Sequence, residues 1–169
     1  MDLGLASGTL WSTSLLGATN GDTAESWYGN YYAWGEVETK SEYSWGTYKY
    51  ANGSENKLTK YCNNAEYGNE GYTDDLTQLV PGDDAATVTN SAWRMPTETE
   101  LKELFALPDQ WVTDYNGVSG LNGRVFTGTN GNTLFIPAAG YRFGSDILNA
   151  SSNCYLWSSS FTLFYPSNA

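Results

Sequence analysis

The most informative ten residues of the chain read Ser91-Ala92-Trp93-Arg94-Met95-Pro96-Thr97-Glu98-Thr99-Glu100, a turn that leads directly into a helix. The Thr97 side chain can bond the backbone amide of Glu100, and the Glu100 carboxylate can reach back to Thr97, which is a capping box. Leu101, Leu104 and Phe105 follow at helical spacing, so we expect them to form one buried stripe. Pro108 then predicts the end of this helix.

Dense turn signals elsewhere predict short strands and loops. The clearest hairpin joins 124–129 to 132–137 through Asn130-Gly131, a pair typical of a type I′ turn. Other predicted strands are 9–16, 31–36 and 155–160, and a short helix is predicted over 83–88. The stretch 45–81 shows little periodicity and is predicted to be functional or decorative loop. The class is therefore α+β, with short antiparallel strands, one or two helices and long irregular loops in a single domain over 1–169.

Composition and charge exclude several functions. The chain of 169 residues has 8 Lys and Arg against 19 Asp and Glu, a net charge of −11, and no histidine. A Ser-His-Asp triad and a histidine-ligated zinc site are therefore excluded. The negative charge makes nucleic acid an unlikely partner. No apolar run is long enough to span a membrane, and the N-terminus carries neither the basic nor the apolar region of a signal peptide.

Few residues point to catalysis. Cys62 and Cys154 can form one disulfide or remain free thiols. The acidic pairs Asp74-Asp75, Asp83-Asp84 and Glu36/Glu38 are candidates for acid–base chemistry, but helix capping or a solvated strand face explains them equally well. No segment matches an EF-hand loop or a phosphate-binding loop. We expect no catalytic residue, no metal and no cofactor.

Aromatic residues are abundant in two stretches, 27–35 and 43–50. Sugar-stacking surfaces have such a composition, but aromatic side chains also contribute the largest buried area per residue. Most of these rings are therefore predicted to form core.

Five motifs occur in order along the chain and together resemble one family. They are 2–11 (Asp-Leu-Gly-Leu-Ala-Ser-Gly-Thr-Leu-Trp), 31–36 (Tyr-Tyr-Ala-Trp-Gly-Glu), 91–97 (Ser-Ala-Trp-Arg-Met-Pro-Thr), 136–142 (Ile-Pro-Ala-Ala-Gly-Tyr-Arg) and 156–160 (Leu-Trp-Ser-Ser-Ser). They resemble the C-type-lectin-like domains of gut Bacteroidetes surface proteins, which are similar to the formylglycine-generating-enzyme subclass of that fold. This subclass includes the variable proteins of diversity-generating retroelements, whose last segment lies on the ligand-binding face and is rewritten by adenine-specific mutagenesis.

The sequence departs from this family in two ways. The family continues past 156–160 into a further strand, so we expect a missing or externally supplied final strand and an unpaired edge. The catalytic cysteines of the enzyme have no identifiable counterparts.

The retroelement interpretation makes a prediction about residue types. Mutated AAC codons cannot encode Lys, Glu, Gln, Met or Trp, and the first four types occur 19 times in residues 1–140. That rate predicts about four in residues 141–169, where none occurs. Trp157 is the one forbidden residue there, and it lies in the fixed 156–160 motif. We therefore predict a scaffold over 1–140 and a variable segment over 141–169.

The leading hypothesis is a non-enzymatic ligand-binding protein whose diversified face binds a protein or glycan. The predicted contact residues are Phe143, Ser145, Asp146, Ile147, Leu148, Asn149, Cys154, Leu156, Phe161, Leu163, Phe164 and Tyr165, although Leu156 and some of the Phe residues can equally complete the core. One alternative is a fixed adhesive or glycan-binding module that uses Trp27, Tyr31, Tyr32 and Trp34. A second is a formylglycine-generating-type oxidase. The predicted location is extracellular or on a cell surface, or on a phage particle.

Overall fold

The computed structural model describes residues 1–161 and has an α+β architecture with few helices and small antiparallel sheets. Three short α-helices occur in the described part of the chain: α1 (Glu25–Tyr28), α2 (Ala85–Thr89) and α3 (Glu98–Phe105). The five strands are β1 (Asp109–Val112), β2 (Gly123–Thr127), β3 (Thr133–Pro137), β4 (Tyr141–Phe143) and β5 (Asp146–Leu148). Single 3₁₀ turns lie at Asn69–Gly71, Pro81–Asp83 and Tyr115–Gly117.

Contacts divide the chain into two compact units. The first, which we call the sheet unit, comprises Met1–Tyr31 and Pro96–Trp157 and contains all five strands. The second, the loop unit, comprises Tyr32–Met95 together with 158–161. Among its described residues, the loop unit contains α2 and two of the 3₁₀ turns, and its β-structure is limited to isolated bridges such as Gln78↔Ser160. The prediction of one domain over 1–169 stays a prediction.

In the sheet unit, the strand order β1-β2-β3 forms an antiparallel sheet between two apolar clusters. One cluster places Leu3, Leu5 and Leu104 against side chains of β2 and β3, including Phe126. The other cluster is built around Tyr28, Leu121 and Phe135. Because strand side chains alternate between faces, this sheet is the centre of the unit's core.

Helix α3 forms where the sequence predicts it. Thr97 caps it with both hydrogen bonds of the capping box. Leu101 and Leu104 are buried, but Phe105 is 52% exposed, so the predicted apolar stripe is wrong at its last position. The short predicted helix is also present as α2, with Asp84 as its N-cap.

The predicted hairpin is confirmed as β2–β3, but its turn is not type I′. The register pairs Thr127 with Thr133, and the Gly128 amide bonds the Asn132 carbonyl at 2.8 Å. Gly131 N bonds Gly128 O at 3.0 Å, and of the Asn-Gly pair only Gly131 has a positive φ (84°). This geometry is a type I turn followed by a left-handed glycine, which closes a three-residue loop.

The other three predicted strands are wrong. Residues 9–16 make only the bridge Asp2↔Leu10, residues 31–36 contain a turn closed by Glu36 N to Ala33 O at 3.0 Å, and residues 155–160 make only the bridge at Ser160. Gly35 has a φ of +77°, which is incompatible with a regular strand. Strand-like composition alone therefore did not produce a strand in these segments, since β-propensity depends on the surrounding context.

Candidate functional site

Within the described part of the predicted variable segment, several exposed apolar residues lie on the hairpin β4–β5. Its register pairs Tyr141 with Leu148, Arg142 with Ile147 and Phe143 with Asp146. Gly144 and Ser145 form its turn, and of the two only Gly144 has a positive φ (59°), which corresponds to a type II′ turn. A Gly-Ser pair between short apolar segments is the sequence signal that could have predicted this hairpin.

Apolar side chains on this hairpin are turned to solvent. Phe143 is 64% exposed, Ile147 44% and Leu148 38%. Ser145, Asp146 and Asn149 are also exposed. The structure therefore brings together six of the predicted contact residues on one short hairpin and its exit.

One residue outside the predicted contact set extends this surface. Tyr155 is 54% exposed, packs edge-on against Tyr141 with 4.9 Å between ring centroids, and bonds Asn149 Nδ2 at 3.3 Å through its hydroxyl. We call Phe143, Ile147, Leu148 and Tyr155, with the polar residues 145, 146 and 149, the hairpin surface.

The base of the hairpin is held firmly. The Gly140 amide bonds Asn153 O at 2.7 Å, and the Ser151 amide bonds Ala138 O at 2.7 Å. The Ser151 hydroxyl lies 2.9 Å from the hydroxyl of the buried Tyr28. An exposed apolar tip is therefore attached to a well-bonded base.

Arg142 anchors the hairpin on the face that it shares with its cross-strand partner Ile147. Its Nη1 donates to Ser145 O at 2.8 Å, and its guanidinium lies 5.7 Å from the centre of the Tyr31 ring. Burial raises the pKa of Tyr31, which keeps its hydroxyl protonated to donate to Ala139 O at 2.6 Å. The hairpin is thus anchored within the sheet unit through a cation–π contact to the half-buried Tyr31.

The remaining predicted contact residues lie elsewhere. Cys154 and Leu156 pack against the Leu104 cluster and border a cavity of about 450 Å³ on the β1–β3 sheet. Phe161 belongs to the loop unit, where its ring lies 5.9 Å from that of Trp34. Leu163, Phe164 and Tyr165 lie outside the described residues.

Four of the six candidate acid–base carboxylates, Glu36, Asp74, Asp83 and Asp84, bond within the loop unit, whereas Glu38 and Asp75 are exposed. Glu36 is buried, not on a solvated strand face, and bonds Lys40 Nζ and the Lys49 amide, each at 2.8 Å. Asp74 accepts hydrogen bonds from the amides of residues 61, 62 and 76. Asp84 caps α2 and accepts the Met95 amide at 2.7 Å. Each of these four carboxylates has protein donors as its partners.

Neither thiol is set up as a nucleophile. Both cysteines are free, and they belong to different units. Cys62 is buried and donates to Asn64 O at 3.1 Å. Burial raises the pKa of Cys154 to about 11, so its thiol is protonated at neutral pH.

Two further features concern metals and membranes. No cluster of three or more His, Cys, Asp or Glu that could hold a metal ion occurs within residues 1–161. Over the same range, no helix has the length and apolar character needed to cross a bilayer.

Three aromatic residues of the predicted glycan site have their polar atoms bonded internally. Trp27 Nε1 donates to Gly21 O at 2.9 Å, Tyr31 to Ala139 O, and Trp34 Nε1 to Ser158 O at 2.8 Å. Trp27 also packs edge-on against Tyr115 and Phe135. These contacts are typical of core aromatic side chains.

Comparison of the chain with protein-family models, with curated proteins and with solved structures gives no match.

Proposed function

We propose that this protein is a non-enzymatic ligand-binding protein that displays the hairpin surface on a C-type-lectin-like scaffold, as retroelement variable proteins do. The observation that carries the proposal is the combination of an exposed apolar tip with a firmly bonded base. Apolar residues that remain exposed on a rigid element are typical of contact surfaces. Desolvation of Phe143, Ile147 and Leu148 would supply affinity, and the polar residues beside them would supply specificity.

The position of this surface also supports diversification. All of it lies in 141–169, the segment free of Lys, Glu, Gln and Met. Residues 145–150 are exposed without interruption, so substitutions there leave the core untouched. A face that is rewritten repeatedly needs this separation from the residues that fold the protein.

Sequencing the same locus in sibling isolates tests the proposal. We expect substitutions concentrated after Arg142 at positions of AAC codons in a nearby template repeat. Differences spread evenly over the gene would overturn the retroelement interpretation.

A binding experiment tests the hairpin surface separately. Once a screen has supplied a ligand, the double variant Phe143→Ser with Ile147→Ser should bind that ligand at least about tenfold more weakly. Leu10→Ser is the matched control, since Leu10 is a 72% exposed apolar residue of the same unit. Equal effects of the two variants would show that the hairpin surface is not the binding face.

A further inference from the structure

Strand β1 is the outer strand of the β1–β2–β3 sheet. Its hydrogen bonds to β2 alternate along the strand, and this alternation shows which backbone groups face outward. The Thr127 amide bonds Pro108 O at 2.8 Å, and the register continues with Gln110 opposite Val125. Because hydrogen-bonded pairs alternate along an antiparallel ladder, Gln110 and Val112 face β2. The backbone N–H and C=O groups of Asp109 and Trp111 therefore point away from the sheet.

These outward groups have no protein partner in the described part of the chain. Neither the amides nor the carbonyls of Asp109 and Trp111 bond any of residues 1–161. Residues 109–111 are exposed. An edge with free backbone groups is a template for one more strand.

The side chains of the same two residues border a cavity. Trp111 pairs with Arg124 and Asp109 with Phe126, so all four side chains lie on one face of the sheet. They line the cavity of about 450 Å³ together with Phe105 and Leu156. A strand added to β1 would direct alternate side chains to this face, where the exposed rings of Phe105 and Trp111 offer an apolar contact.

The charge of the sheet unit indicates the kind of strand that fits. The sheet unit has nine Asp and Glu residues and three Lys and Arg residues, which gives it a formal charge of −6. Each of the three basic side chains already has a partner. Lys102 forms a salt bridge with Glu98 and Arg124 with Asp109, while Arg142 makes a cation–π contact with Tyr31. A second copy of the chain would bring the same negative charge to the edge, whereas a cationic partner is attracted to it.

The geometry points to a second binding site, at the β1 edge, for an extended cationic peptide that adds as a strand and places an apolar side chain in the cavity beside Trp111. Main-chain hydrogen bonds to Asp109 and Trp111 give affinity, and the cavity gives specificity, which is the general mode of strand addition. This site is built on the backbone of β1 and shares no residue with the hairpin surface, so it does not depend on the function proposed there.

Amide hydrogen exchange tests the edge directly. In the free chain the amides of Asp109 and Trp111 should exchange rapidly, while those of Gln110 and Val112 are protected. The probe is a phage-displayed library of linear twelve-residue peptides, selected on the full chain and counter-selected on Trp111→Ala. An enriched peptide should protect Asp109 and Trp111, carry apolar residues at alternate positions and include Lys or Arg.

Backbone N-methylation of the enriched peptide then distinguishes strand addition from simple occupation of the cavity. N-methyl groups at alternate positions should weaken binding about tenfold or more, and at the intervening positions by less than about twofold. Leu10→Ser should leave the affinity unchanged. The peptide modification leaves the protein intact, so the result does not depend on how well Trp111→Ala folds.

Three results would overturn the proposal. One is the absence of any peptide enriched over the Trp111→Ala counter-selection, and another is a uniform effect of N-methylation along the peptide. The third is protection of Asp109 and Trp111 that rises with protein concentration alone, since a second copy would then occupy the edge.

Discussion

Tyr61 donates its hydroxyl hydrogen to Asp83 Oδ2 across 2.7 Å, inside the loop unit. Lys60 Nζ contacts the same oxygen at 2.6 Å, and Lys60 lies 5.0 Å from the centre of the Tyr61 ring. The Tyr61 oxygen in turn accepts the Val80 amide at 3.0 Å. A single buried carboxylate thus joins the segment at residues 60–61 to the turn at residues 80–83.

Asp83→Asn should destabilise the chain by about 2–3 kcal/mol, because a hydrogen bond to a charged partner is lost and Lys60 keeps its charge. Urea unfolding followed by tryptophan fluorescence measures this change in the free energy of unfolding. Asp75→Asn is the matched control, since Asp75 is an exposed carboxylate of the same unit. Equal costs for the two variants would show that Asp83 is not the centre of this network.

The contribution of Asp83 should also depend on pH. Burial alone would raise its pKa, but hydrogen bonds from Lys60, Tyr50 and Tyr61 outweigh this and hold the pKa below the ordinary 3.8. A lowered pKa stabilises the folded state above pH 3.8 and loses that effect as pH falls through the folded-state value. We therefore expect the difference between wild type and Asp83→Asn to shrink below about pH 4. A difference that stays constant down to pH 2 would contradict this account.

Thr97→Ala should cost about 1 kcal/mol, because the amide of Glu100 loses its capping oxygen. Thr99→Ala in the same first turn should have almost no effect or stabilise slightly, since alanine is the better helix former. Thermal unfolding of the two variants side by side measures the difference. A loss at residue 99 as large as that at 97 would mean that the cap contributes little.

Leu104→Ala should destabilise by about 2–5 kcal/mol, since Leu104 is fully buried among the strands of the central sheet. Its neighbour Phe105 is more than half exposed, and Phe105→Ala should cost about 1 kcal/mol or less. Urea unfolding gives both values. If the two costs proved equal, the helix would be rotated relative to the orientation described above.

Cys154 should react slowly with iodoacetamide. A pKa of about 11 in place of the ordinary 9.0 lowers the thiolate fraction at pH 8 about a hundredfold. Peptide mass spectrometry of the alkylated chain follows the rate, and the urea-denatured chain provides the reference. Native and denatured chains that react equally fast at residue 154 would show that the thiol is not buried.

The sequence predicted the elements whose signals are local. The capping box at Thr97 and the Asn130-Gly131 hairpin involve residues a few positions apart, so their chemistry is visible in the sequence. The turn type was missed because a three-residue loop with a left-handed Gly131 satisfies the same Asn-Gly signal. Phe105 was assigned to the core because spacing defines a stripe but not its width.

The rest depends on contacts between distant residues. The segment 31–36 has the composition of a strand. Glu36, however, is buried and bonds Lys40 Nζ and the Lys49 amide, two contacts that no pattern within the segment indicates. For the candidate site, Phe143, Ile147 and Leu148 were predicted as contact residues from their apolar character alone, the hairpin that carries them was not predicted, and their role in binding stays a prediction. Tyr155 joins them only because Tyr141 lies beside it in space.

The uninterrupted exposure of residues 145–150 has an evolutionary consequence. Natural proteins lie just above a stability threshold, and most substitutions in a core bring a protein closer to it. Substitutions in this stretch leave no cavity in the core, and apart from Asn149, whose φ of 58° favours Asn or Gly, they consume little of that margin. A population can therefore accumulate variants there without compensating changes elsewhere. Neutral variation can therefore collect on this exposed stretch, and if the proposed binding role holds, a new specificity can arise one substitution at a time from a chain that already folds.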